Sequence, residues 1–429
     1  MKEFLKISIN KKMNNNQNQP REFDAVLGGE NPAPVTSVVL GGIEGVKRRL
    51  ESEIVDVRIK ALNDALKYGD EGLDLVVRTL GDLSEEVNNK VISILRESGD
   101  KGKRALLDFD PWLVFTTFDN DKWQDTEEFS YSKRINKIDN TIYFINDIYD
   151  LNRLIHYKRA KYIGALSFNI YHKPKNYKNT FKTFVHLLAD AKDKLVSLEA
   201  LFIGDNYETW NIRYKYSKID VCNIDPILKA YPNLELLHIR GKMINEDVLV
   251  SENQILAIKN IQNNSLIIPK AIKHDSLRTL IIDADGITDK NLASLCNLNL
   301  RCLEYLEIWV SRNKLKEVSI ESIEPILSSK YYKNLAFLAI RKSSNTSQLA
   351  KAIVNSPVMK NLKVLELTDG NMGSGGAMYI LDSPQINNLH TLNLCGNRLQ
   401  TKMIQKLSEL DCEVITKGQF SDRYYSVWE

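Results

Sequence analysis

The chain has 429 residues, more than one ordinary domain, and 43% of them are apolar, enough to bury a sizeable core. With 58 basic and 55 acidic residues the formal charge is only +3, so no global field draws nucleic acid or anionic membrane to it. Nothing in MKEFLKISINKKM has the apolar run of a signal peptide, and no later stretch approaches the roughly 20 apolar residues of a membrane span. The five cysteines, Cys222, Cys296, Cys302, Cys395 and Cys412, are odd in number and lack C-x-x-C spacing, which fits reduced thiols rather than zinc. The expectation is a soluble cytoplasmic protein with no cofactor.

Residues 1–20 are rich in Asn and Gln and too poor in apolar residues to offset the entropy of ordering, so they read as a disordered tail. Residues 21–42 repeat VLGG on either side of NPAP, the composition of turns and an extended linker. No Lys-Ser/Thr follows either glycine pair, so neither reads as a phosphate loop.

From Ile43 to residue 110 the apolar period becomes helical. Val57, Arg58, Ala61, Leu62, Ala65, Leu66, Gly69, Asp70 and Gly72 are answered 30 positions later by Val87, Asn88, Val91, Ile92, Leu95, Arg96, Gly99, Asp100 and Gly102. A helix with an apolar stripe, ended by Gly-Asp and followed by a second helix (LDLVVRTL), is one unit of an all-α solenoid. These residues resemble a HEAT-like repeat. More narrowly, PREFDAVLGG, VVLGGIEGVKRRL and VRIKALNDALKYGDEGLDLV resemble a module fused to repeat arrays in multidomain bacterial, especially cyanobacterial, proteins. That resemblance implies a hand-over to a second domain near DFDPWLVFTTF.

Residues 111–160 hold an acidic bridge (DNDKWQDTEEF), a β-branched and aromatic strand former (TIYFI) and a short amphipathic stretch (DIYDLNRLI). They read as a connector and the N-terminal cap of a second array. Over residues 161–415 the phrase L-x-x-L-x-L recurs. It begins weakly at Leu166 and Phe168, then returns at Leu198/Leu201/Ile203, Leu234/Leu237/Ile239, Leu277/Leu280/Ile282, Leu303/Leu306/Ile308, Leu335/Leu338/Ile340, Leu362/Leu365/Leu367 and Leu389/Leu392/Leu394. Helical pieces follow Thr288, Thr346 and Thr401, each threonine standing where an N-cap belongs. This is the pattern of leucine-rich repeats, an α/β solenoid with a parallel strand per repeat lining the concave face of a horseshoe. An asparagine ladder is incomplete: Asn206 and Asn397 keep the residue, whereas Asp285, Ser311, Ser343 and Gly370 replace it. EVIT reads as a final edge strand, and residues 416–429, with Tyr424, Tyr425, Val427 and Trp428, as a capping tail that docks back. Residues 140–429 also resemble a family of bacterial leucine-rich-repeat proteins of unassigned function, through AKDKLVSLEALFIGD, IDPILKAYPNLELLHIRG, LEYLEIW, IVNSPVMKNLKVLELTDG and DRYYSVWE. The chain departs from that pattern at RYKYSKIDVCN and VSRNKLKEV. The resemblance implies a fold and an interaction role rather than a partner or a reaction.

Alternation along each strand points the residues between and after the leucines out of the concave face. The candidate partner-binding residues there are Phe202, His238, Arg240, Ile281, Asp283, Tyr305, Glu307, Trp309, Phe337, Arg341 and Glu366. Aromatics with Arg are the composition of a binding hot spot. Tyr305, Trp309 and Arg240 are the expected anchors, and the rival arrangement is a helical module folded back over Tyr305 and Trp309. Arg240, Asp283, Glu307 and His238 have the residue types of an acid/base site, but charges interleaved on adjacent strands mark cross-strand ion pairs, so no enzyme is expected. TDGNMGSGGAM places four glycines between a strand and a helix without the Lys-Ser/Thr of a phosphate site. The six histidines, His156, His172, His186, His238, His274 and His390, lack metal-ligand spacing. The expected function is a non-catalytic scaffold or adaptor that docks a protein partner of unknown identity. The alternative is a nucleic-acid or small-ligand sensor, for which IRYKYSK around Arg213 and Lys215 is the best basic stretch.

Overall fold

The structure, a computed structural model, describes residues 42–118, 125–128, 139–170, 180–204, 219–243, 272–295, 297–310 and 318–420. The expected tail and linker up to residue 41, Asn206, Ser311, Cys296, His172, the basic stretch at Arg213 and Lys215, and the capping tail from Ser421 onward lie outside the described residues. The chain divides into two compact units, Met1–Lys90 and Val91–Glu429, so the expected boundary near residue 110 falls inside the second.

The first unit contains α1 (Ile43–Leu50), α2 (Val55–Ala65), α3 (Gly69–Arg78) and the start of α4 (Glu85–Glu97). Their apolar stripes bury Val46, Ala61, Leu62, Ala65 and Val76. The repeat read from sequence is a repeat of geometry. Gly69 (φ 58°) turns the chain into α3, and Gly99 (φ 63°) turns it from α4 into α5 (Gly99–Phe109), both in the left-handed conformation that glycine adopts without steric cost.

The second unit is built on an all-parallel sheet of 11 strands. Its strands are β1 (Asp125–Glu128), β2 (Asp139–Ile145), β3 (Ile163–Asn169), β4 (Ala200–Gly204), β5 (Leu236–Lys242), β7 (Thr279–Asp285), β9 (Tyr305–Val310), β10 (Phe337–Arg341), β11 (Val364–Glu366), β12 (Thr391–Asn393) and β13 (Glu413–Ile415). They follow one another in that order. A side ladder of two strands pairs β6 (Ile272–Lys273) with β8 (Leu298–Asn299). Leu201, Leu237, Leu280, Leu306, Leu338, Leu365 and Leu392 stand in one register and are all buried in a continuous core against the helices of the other face. This is a leucine-rich-repeat-like solenoid, in which each turn covers the apolar side of the next.

The threonine caps divide. Thr288 accepts from Asn291 N at 3.3 Å and caps the helix Asp289–Leu295. Thr346 and Thr401 instead lie inside their helices, whose N-caps are Asn345 and Gln400. The Thr346 hydroxyl faces the adjoining repeat, donating to Ser343 O at 2.7 Å and accepting from Asn371 N at 3.2 Å. That contact serves where the asparagine ladder lapses at Ser343 and Gly370. At Asn397 the ladder is intact: the amide, wholly buried, donates to Leu367 O at 2.6 Å and accepts from Met372 N at 3.0 Å. Among the glycines of TDGNMGSGGAM, Gly370 answers to packing. A Cβ there would fall 2.1 Å from the Thr346 hydroxyl oxygen.

Because Leu306 is wholly buried between repeats, Leu306→Ala should lower stability by about 2–5 kcal/mol through the cavity it leaves. Urea unfolding measures this directly. A midpoint unchanged from the parent would refute the packed register.

Candidate functional site

In-register pairing sorts the helix-free face into three columns. The first runs through Ile142, Ala165, Ala200, Leu236, Thr279, Tyr305, Phe337, Val364 and Thr391. The second runs through Phe202, His238, Ile281, Glu307, Ala339, Glu366 and Asn393, and the third through Arg240, Asp283, Trp309 and Arg341. The alternation read from the leucines therefore holds along the array.

The first column is closed by the chain itself. Helix α5 and the 3-10 turn Pro111–Leu113 after it lie along this column, with Leu107, Phe115 and Phe118 packed on it. Phe115 meets Tyr305 and Phe337 edge-on, at centroid distances of 5.7 and 5.6 Å, while Tyr305 stacks on Phe337 at 3.7 Å. Polar contacts fix this strap at both ends. Lys103 pairs with the buried Glu304, which also binds Arg278 at 2.8 Å, and Asp108 pairs with Lys363 at 2.6 Å. The Thr279 hydroxyl donates to Thr116 O at 2.6 Å, and Arg96 Nη2 donates to Leu113 O at 3.1 Å, which ties the strap back to α4.

The other two columns carry a connected polar network. Arg240 pairs with Asp283. Glu307 accepts from the Tyr305 hydroxyl at 2.8 Å and from Trp309 Nε1 at 2.6 Å, and Arg341 Nε lies 2.8 Å from it. Arg341 also pairs with Glu366 and donates to Thr368 Oγ1 at 3.2 Å, and Asn393 donates to Glu366 at 3.1 Å. Above the Trp309 ring sit the Arg341 guanidinium, 5.4 Å from the centroid, and Lys342 Nζ at 4.6 Å. Opposite charges on neighbouring strands thus behave as cross-strand pairs.

This arrangement alters the expectation of a free face. Of the candidate residues, Arg240, Ile281, Tyr305, Glu307, Phe337 and Glu366 are buried, and Phe202, His238, Asp283, Trp309 and Arg341 are half-buried. Tyr305 and Phe337 are taken up by Phe115, and Arg240 by Asp283, so two of the three expected anchors are engaged internally. Trp309 keeps part of its ring open. Sequence reasoning passed over Phe115, Glu304, Lys363 and Lys342. The signal for the strap is a stripe, Lys103 and Leu107 one turn apart on α5, beside the stripe of Leu106 that is buried.

Burial sets the titration of this face. It pushes Asp283 up to about 6 against the pull of Arg240, and raises Glu366 against Arg341. Burial opposes the charge on Arg341, but Glu307 and Glu366 outweigh it and hold its pKa up. Burial and the adjoining Glu307 carboxylate push the Tyr305 hydroxyl well above its ordinary value. His238 stands edge-on to Phe202 at 4.8 Å, its Nε2 is sealed from solvent without a hydrogen-bond partner, and burial lowers it to about 4 although Glu307 pulls the other way.

No protein-family model matches the chain, and no curated protein matches it. The crystal structure of a protein from Bacteroides fragilis is similar at a TM-score of 0.51 and 19% identity, over 64% of this chain and 71% of that one. An internalin from Listeria monocytogenes matches at a TM-score of 0.33 and 17% identity, over 66% of this chain and 61% of its own length, less than two thirds of it. The first likeness is one of fold alone. Among the described residues, no helix is long and apolar enough to cross a membrane.

Removing Phe115 should empty the aromatic cluster of the strap. Phe115→Ala is expected to cost about 3–5 kcal/mol in urea unfolding, in the range of a buried phenylalanine truncation, and a loss under about 1 kcal/mol would mean the strap is not held there.

His238 has its pKa depressed in the folded state, from 6.5 to about 4, so it binds a proton more readily when unfolded. Its contribution is whole above pH 6.5, declines as pH falls and is lost by about pH 4. Asp283, raised to about 6, works the other way: its contribution is whole below the ordinary 3.8 and is lost as pH rises through about 6. A comparison of parent with His238→Gln separates them. Between pH 7 and pH 4.5 the parent should lose about 2 kcal/mol relative to the variant. Parallel stability curves would show that His238 titrates normally.

Proposed function

We propose that the chain is a non-catalytic scaffold or adaptor of the cytoplasm, whose protein partner docks at the C-terminal ends of β7, β9 and β10, around Trp309. The observation that carries this reading is the state of that indole. Its Nε1–H is held by Glu307 and its ring lies under Arg341 and Lys342, yet part of the ring stays open. An aromatic side chain already fixed in one rotamer loses little entropy when a partner covers it, which is the economy of a hot spot. The strap narrows the surface further, since the first column is no longer free to receive a partner from outside. We read the carboxylates as structural rather than catalytic because Asp283, Glu307 and Glu366 are each met by an arginine.

Nucleic acid fits this surface less well. Asp283, Glu307 and Glu366 stand beside Arg240 and Arg341, so a phosphate backbone would meet carboxylates wherever it met a guanidinium. We also retain a HEAT-like reading of the helix pairs α2–α3 and α4–α5, on the strength of the glycine turns at Gly69 and Gly99.

The test is quantitative capture from native cell extract with the whole chain as bait, the retained proteins being identified by mass spectrometry. Trp309→Ala should weaken retention of the specific partner by roughly 30-fold, the effect of losing an anchor worth about 2 kcal/mol. Its melting temperature should stay near the parent's, in contrast to Leu306→Ala. Retention unchanged by Trp309→Ala would move the docking surface elsewhere.

A further inference from the structure

Among the described residues, three that are not glycine have a left-handed backbone: Ser329 (φ 55°), Lys342 (φ 59°) and Asp369 (φ 55°). Ser329 lies in a turn after the helix Ile320–Leu327. Lys342 and Asp369 share a structural position. Leu338, Leu365 and Leu392 are partners in register, and four residues beyond each stand Lys342, Asp369 and Gly396. All three hand their N–H to the following strand or loop: Lys342 to Thr368 O at 2.9 Å, Asp369 to Cys395 O at 3.0 Å, Gly396 to Lys417 O at 3.0 Å. The strand exit takes φ near 60° in these three C-terminal repeats, and Gly396 (φ 64°) meets it without strain. Lys342 and Asp369 meet it at a cost that a lysine cannot offset locally, and strained positions of this kind collect at ligand-contacting sites.

The two charges lean apart. Lys342 Nζ lies over Trp309, one strand back, while Asp369 Oδ1 lies toward the next repeat, where a Cβ on Gly396 would fall 2.5 Å from it. Neither forms an ion pair with a described residue, although Arg240, Asp283, Arg341, Glu307 and Glu366 around them are all paired. One cation, which reaches the Asp283 carboxylate only at longer range, and one anion thus stand at the rim of the Trp309 surface without a direct ion-pair partner among the described residues. We propose that Lys342 and Asp369 read the charge of the docking partner, Lys342 taking a carboxylate beside Trp309 and Asp369 a lysine or arginine, so that the partner is a protein surface of mixed charge. The proposal rests on the docking role of Trp309. A polyanion is disfavoured because Asp369 would repel it where Lys342 attracts it.

The probe is a fluorescein-labelled peptide of Glu-Leu-Lys-Ala repeats, read by anisotropy against the full chain at low salt, beside versions with Gln for every Glu or for every Lys and a single-stranded RNA of similar length. The mixed peptide should bind best, and each Gln version about threefold to fivefold more weakly, the scale of exposed ion pairs. Lys342→Gly should abolish the penalty for losing Glu, and Asp369→Gly the penalty for losing Lys. Both variants should melt at or above the parent's temperature, because glycine suits the left-handed position. If the glycine variants bind the mixed peptide as tightly as the parent does while Trp309→Ala does not, this proposal falls and the docking role of Trp309 stands. Binding that is indifferent to all three substitutions, or tighter to RNA than to the peptide, overturns both.

Discussion

The unbroken parallel register from β3 to β13 is the constraint on which the rest of the second unit depends. Side chains alternate with a period of two, so a slip of one residue would exchange the leucine rows of the core with the polar columns of the opposite face. Register also dictates the electrostatics. Glu307 and Glu366 fall in one column two strands apart, with Ala339 between them, and Arg341 two residues along on the intervening strand meets both. A single guanidinium can bridge two carboxylates there because the strands place them symmetrically about it. The same geometry explains why so many charges are engaged. On a sheet whose strands are about 4.8 Å apart, neighbours of opposite sign have no need to reach outward.

The strap shows how a repeat face can be consumed from within. Tyr305, Phe337 and Val364 form an apolar column that would otherwise remain open to water, and Phe115 with Leu107 removes it from solvent. Edge-to-face ring contacts add about 0.5–1.5 kcal/mol each to the area buried. The ion pairs of Lys103 and Asp108 meet residues that immediately precede strands β9 and β11, so the strap is anchored at the strand starts, while Trp309 further along β9 stays half-buried. What can dock is defined as much by this covering as by the array.

Much of the fold was legible in the residues. The recurring leucines placed β4, β5, β7 and β9 through β12, and TIYFI and EVIT supplied β2 and β13 at their correct places in the order. Strand β1 was not legible, because DTEE has no apolar alternation to mark it as a strand. The side ladder of β6 and β8 is two residues long in each strand, too short for any period. The columns of the inner face were read correctly, since alternation fixes them. Their burial entered only as the rival arrangement, a helical module folded back over Tyr305 and Trp309; Leu107 and Phe115 do cover Tyr305, whereas Trp309 stays half-buried, and the covering segment, nearly two hundred positions away, carries no mark in the repeats themselves. The same holds for Thr346, whose hydroxyl has the chemistry of a cap but is drawn to Ser343 and Asn371 of the repeat stack.

That separation along the chain bears on how the protein is made. Lys103 and Glu304 are 201 residues apart, and Thr116 and Thr279 are 163 apart. At a synthesis rate of about 5–20 residues per second, Phe115 leaves the ribosome roughly ten to forty seconds before its ring pocket exists. During that interval the aromatic run PWLVFTTF has no native surface to cover it, and closing so long a loop adds a non-local step after the repeats have stacked. The array can grow repeat by repeat from neighbour contacts, but the strap is completed only when β9 and β10 are in place. The nascent chain therefore passes through a window in which its most aromatic early segment is a substrate for chaperones or for misassociation with another copy.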